Sequence, residues 1–73
     1  MKQKYVRLSQ YNEIIIFPEV IEHSTFKHLS PISAGFCYIQ DRGVVCYGES
    51  ISLNLESKED DSERATFQVF GWQ

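Results

Sequence analysis

The side chains with the most chemistry to offer are two cysteines, Cys37 and Cys46, and two histidines, His23 and His28. Together they would make a four-ligand zinc set. Their spacing, Cys-x8-Cys and His-x4-His, argues against it, because structural zinc sites usually carry a tight cysteine knuckle with about two to four intervening residues. A Cys–His pair would need mutual contact and a third, orienting group to act as nucleophile and base. Gly48-Glu49-Ser50-Ile51-Ser52 resembles a nucleophile elbow, but it lacks the closing glycine and no strand–turn–helix follows at once. A chain of 73 residues also has little room for a deep reaction pocket. The expectation is therefore no enzyme, no catalytic residue, no metal and no cofactor.

The placement of the thiols depends on the hairpin that carries them. Between Ser33 and Leu53, two runs rich in β-branched and aromatic residues flank Asp41-Arg42-Gly43, which is turn chemistry between strand formers. With Asp41 and Arg42 alone in the loop, Cys37 faces Cys46. With Gly43 added in a left-handed position, Cys37 faces Tyr47 and Cys46 faces Tyr38. The second register is preferred, since glycine tolerates positive φ and arginine does not. It puts the thiols on opposite faces, excludes a disulfide or shared metal, and leaves them as buried, inert thiols. It also puts Tyr38 and Tyr47 on opposite faces. Gly48, Ser50 and Ser52 read as the solvent side of an alternating strand, or less simply as a loop that donates hydrogen bonds to an anion.

The other elements follow from periodicity. Tyr5 to Leu8 reads as a strand and Ser9 to Asn12 as a turn. Glu13 to Phe17, with three consecutive isoleucines, is the strongest strand signal, and its continuous apolar run suggests a central place in the sheet. Pro18 stops it. A short helical turn between 19 and 29, capped by Ser24, ends before Pro31. Strands near Ile32–Gln40 and Val44–Glu49 form the hairpin. Ser57 with Asp60 suggests a capping box, and Glu59, Asp60 and Asp61 suit the positive end of a helix dipole. Residues 65 to 70 fit either a helix or a strand; helix is preferred, with Gly71 as its C-cap.

Composition bounds the rest. Hydrophobic residues make up 42% and the formal net charge is −3, so residues 1–73 are expected to fold as one domain that binds no phosphate backbone. The basic residues form no stripe. The N-terminal Met-Lys-Gln-Lys-Tyr-Val-Arg is followed by no apolar stretch, and the longest apolar run, Ile14 to Phe17, is too short to span a bilayer. A cytoplasmic setting, without membrane contact, is expected. Free thiols fit it.

Phe17-Pro18 with His23, Ser33-Ala34-Gly35-Phe36, Cys46-x-Gly48-x-Ser50-x-Ser52-Leu53 and Asp60-Asp61 together resemble a family of small, uncharacterised bacterial and phage-encoded proteins. The resemblance implies a bacterial or prophage origin. It carries over no activity and no catalytic residue.

The fold expected is α+β: an antiparallel sheet of about four strands, with one short helix and one longer C-terminal helix packed on one face. The function expected is a non-enzymatic protein-interaction module. Its contact residues would be Tyr38, Tyr47 and Trp72, and its partner another protein or a second copy in a homodimer. One alternative is a small metal- or ligand-binding protein using His23, Cys46 and Ser50. Another is an acidic inhibitor of a nucleic-acid-binding host protein, presenting Glu56, Glu59, Asp60, Asp61 and Glu63.

Overall fold

A computed structural model describes residues 2–71. Four strands, β1 (Gln3–Leu8), β2 (Ile14–Phe17), β3 (Pro31–Gln40) and β4 (Gly43–Tyr47), form one antiparallel sheet in the order β2-β1-β3-β4. A 3-10 helix, His23–Leu29, links β2 to β3. A two-stranded ribbon, β5 (Glu49–Ser50) with β6 (Leu55–Glu56), follows β4 and leads to the helix α1 (Asp61–Phe70). The α+β class and the four-stranded antiparallel sheet are as the sequence leads one to expect.

Alternation along the strands separates two cores. Tyr5, Ile14, Cys37 and Val44 cluster with Ala65 of α1 on one face. Val6, Phe17 and Ala34 cluster on the other, under Phe26 of the 3-10 helix and Leu53 and Leu55 of the β5–β6 ribbon. The helices thus lie on opposite faces rather than sharing one. This sandwiching is what lets a short chain carry a sheet with two apolar faces.

The triple-isoleucine strand β2 is not central but an edge. Its side chains are covered because both sheet faces are covered. Its outer backbone is capped at Ile14 by a side chain: Gln68 Oε1 accepts the Ile14 N–H at 2.7 Å, and its amide donates to the Ile14 carbonyl. The opposite edge, β4, is closed in the same way. Ser62 Oγ accepts the Cys46 N–H and Thr66 Oγ1 the Val44 N–H, each at 2.8 Å, and the two hydroxyls donate back to the carbonyls of those residues. One helix therefore caps both borders of the sheet, β4 at Val44 and Cys46 and β2 at Ile14, the positions where unpaired strands invite aggregation.

The hairpin register differs from the preferred one. Gln40 pairs with Gly43, Tyr38 with Val45 and Cys37 with Cys46, so Asp41 and Arg42 alone form the loop. Gly43 does not have positive φ. What favours glycine there is the helix: a Cβ at position 43 would lie 3.0 Å from Thr66 Oγ1, a tight contact.

Two caps also differ. Glu22, not Ser24, precedes the 3-10 helix, without a side-chain bond. At α1, Ser57 turns away and its hydroxyl donates to the Gly48 carbonyl at 3.0 Å. Asp61 does the reaching back, accepting the Lys58 N–H at 2.9 Å. The helix runs to Phe70, and Gly71 closes it at φ 64 with its N–H on the Phe67 carbonyl.

Candidate functional site

The observed register puts Phe36, Tyr38 and Tyr47 on the same face, which corrects the opposite-face placement of the two tyrosines. Phe36 and Tyr47 are direct cross-strand partners, and Tyr38 lies diagonal to Tyr47. Both ring pairs have centroids 6.0 Å apart, within the usual range for interacting aromatics. Tyr47 is 39% exposed, whereas Phe36 and Tyr38 are half-buried. The Lys2 ammonium sits 4.4 Å above the Phe36 ring and pairs with Glu19 at 3.1 Å. Trp72, the third expected contact residue, lies outside the described residues.

Phe36 and Tyr47 of this strip form one wall of an open groove of about 660 Å³, shared with Lys4, His23, Glu49 and Ile51. The strip lies close to the β4–β5 corner because Gly35 has no side chain: a Cβ there would come within 2.4 Å of the Tyr47 carbonyl oxygen. Ile51 is 86% exposed at the groove's rim. Lys4 is buried and donates to the Ile21 carbonyl at 2.9 Å, anchoring the chain before the 3-10 helix.

His23 is buried at the groove floor, edge-on to Phe17 and Phe36. Its Nε2 lies 2.8 Å from the Gly35 carbonyl oxygen. A carbonyl only accepts, so Nε2 carries a proton and donates. The ring pins the 3-10 helix to β3. His28 is exposed. Ser50 also lines the groove but is buried rather than solvent-facing, its hydroxyl accepting the Leu53 N–H at 3.3 Å. Cys46 belongs to the opposite core, so His23, Cys46 and Ser50 do not converge. Among the described residues no three His, Cys, Asp or Glu side chains group to hold a metal ion.

Beneath α1 lies an ionic cluster that sequence reasoning missed. Asp61 is fully buried. It accepts from the Tyr5 hydroxyl, from Arg7 at 2.8 Å and from the Lys58 amide at 2.9 Å. Arg7 also holds Asp60 at 2.7 Å and reaches Asn12 at 3.1 Å. Burial pushes the Asp61 carboxyl up, but the Lys58 amide, Tyr5 and Arg7 outweigh it and hold it below the ordinary carboxylate range. Burial, with the adjacent Asp61, drives the Tyr5 phenol well above its ordinary value. Asp60 is lowered by its Arg7 bond. The densest run of acids thus sends Asp61 inward and ties Asp60 to a cation, leaving Glu56, Glu59 and Glu63 exposed.

Cys37, fully buried, and Cys46, partly exposed, face each other in this same core. The register corrects the expectation of thiols on opposite faces. A thiol hydrogen bond from Cys46 lowers Cys37. That bond, with burial and the nearby Asp61, raises Cys46.

No protein-family model, no curated protein and no solved structure matches the chain. Among the described residues no helix is long and apolar enough to cross a membrane.

Proposed function

We propose that this chain is a non-enzymatic protein-interaction module that pairs with a second copy of itself through the sheet face carrying Tyr47, Tyr38 and Phe36. A bacterial or phage origin belongs to the same reading and rests on the sequence resemblance alone. The observation that carries the proposal is the aromatic strip: Phe36 and Tyr38 each pack against Tyr47, which is left 39% exposed beside the exposed Ile51. Tyrosine-rich, partly apolar surface is typical of the centre of protein interfaces.

A second copy suits this face better than an added strand. Side chains of α1 occupy the β4 border at Val44 and Cys46 and the β2 border at Ile14, which favours association through a face. Lys2 and Glu49 both line the groove. The rim thus carries both signs of charge, as a surface that pairs with its own copy requires.

Light scattering across a dilution series tests this, with Tyr47→Ala beside the native chain. The expected result is a dimer for the native chain and a monomer for the variant at the same concentration, with nearly equal thermal midpoints. A native chain that stays monomeric at high concentration defeats the pairing. A variant that unfolds removes Tyr47 as a contact residue.

A further inference from the structure

We propose that Cys37 and Cys46 form an oxidation site, at which a low-molecular-weight disulfide such as oxidised glutathione converts the two thiols into an intramolecular disulfide within the folded domain. The two residues are register partners on adjacent antiparallel strands. The position is a non-hydrogen-bonded one: the N–H and C=O of Cys46 both point away from β3, to Ser62 Oγ at 2.8 and 3.4 Å. At such positions facing Cα atoms lie about 4.5 Å apart and the side chains are at their closest. That separation falls inside the range of about 4.4–6.8 Å that a disulfide spans without moving the backbone.

The surroundings suit the bond. Both sulfurs belong to the apolar cluster of Tyr5, Ile14, Val44 and Ala65, so the product stays in a packed core. Access is one-sided, since Cys37 is fully buried and Cys46 is partly exposed. Cys46 is therefore the sulfur that meets the oxidant. Its contact with Cys37 and burial hold the Cys46 proton, so hydroxide at alkaline pH removes it; the thiolate then attacks one sulfur of the small disulfide, breaking that S–S bond and releasing one thiol. Cys37 then attacks the Cys46 sulfur, breaking the mixed disulfide and releasing the second thiol. Each protein thiol gives up one proton and each leaving thiolate takes one. Two protein thiols are oxidised and one small disulfide is reduced to two thiols.

The test incubates the folded native chain with oxidised glutathione at mildly alkaline pH, then traps free thiols and maps peptides without reduction. The expected product is a monomer with a Cys37–Cys46 linked peptide, the loss of two hydrogen masses and a higher thermal midpoint. The Cys46→Ala variant, checked for folding by circular dichroism, should leave Cys37 unmodified under the same conditions. A stable glutathione adduct, disulfide-linked dimers, two unreacted thiols, or modification of Cys37 in the folded variant would each overturn the proposal.

Discussion

Asp61 sets how the domain responds to acid and Tyr5 how it responds to base. The folded Asp61 carboxyl is held below its unfolded value. The unfolded chain therefore binds the extra proton first, and the stabilisation is present above the unfolded pKa of about 3.9 and lost as pH falls through the folded value. Tyr5 has the opposite sign. Its folded pKa is raised, so its contribution is intact below about pH 10 and declines above it, as the unfolded chain ionises and the folded one does not. Urea midpoints across pH should show a plateau with loss on both sides. Tyr5→Phe should lower the plateau by about 1.5–3 kcal/mol, the usual worth of a hydrogen bond to a charged group, and should remove Tyr5's share of the alkaline loss. A Tyr5→Phe curve parallel to the native one at high pH would disprove the assignment. Asp61→Asn leaves Arg7 with Asp60 as its charged partner and should cost about 1.5–3 kcal/mol, the usual worth of a hydrogen bond to a charged group, a sizeable part of the total for a domain of this size.

At the scale of elements, α1 acts through its polar side chains as much as through its apolar ones. Ala65 is its only buried hydrophobic residue, while Phe67, Val69 and Phe70 are exposed. Its hold on the sheet comes from Ser62 and Thr66 on one border and Gln68 on the other. Gln68→Leu should cost about 1–3 kcal/mol, the penalty for stranding partly buried backbone groups, and should raise aggregation on heating, because the freed border is the apolar strand β2. Turbidity during thermal unfolding reads this; a variant as soluble and stable as the native chain would contradict it. The end of α1 was legible, since Gly71 carries a local signal, whereas its start was misjudged, because Ser57, read as the cap, bonds the Gly48 carbonyl and the helix begins at Asp61. The hairpin register was not. Glycine in a turn suggests positive φ, but Gly43 instead eases the close approach of Thr66, which is distant in sequence. The misplacement of Tyr38 against Tyr47, and of Cys37 against Cys46, follows from that one slip, because shifting a strand by one residue moves every side chain to the other face.

For the whole molecule, burial on two faces was legible and its source was not. The run Ile14–Phe17 reads as central because central strands are covered above and below. Here an edge strand is covered above and below, since α1 packs on one face and the 3-10 helix with the β5–β6 ribbon on the other. The resulting two cores are separate clusters divided by the sheet. Val44→Ala in one and Phe17→Leu in the other should each lower the thermal midpoint of a single transition. Their effects should add within about 0.5 kcal/mol, as for sites without shared partners; a large non-additive term would show that the cores are coupled across the sheet. Of the candidate surface, the tyrosines were legible by type, but their meeting in one strip depended on the register.

The closure of both borders by one helix also has a consequence in time. Every strand of the sheet precedes α1 in the chain. During synthesis the four strands leave the ribosome before the residues that complete them, and a nascent sheet would present bare backbone along β2 and β4 until Ser62, Thr66 and Gln68 emerge. For that interval the chain is most open to pairing with its neighbours on the same message, and its yield in a cell would depend on how quickly translation passes through α1.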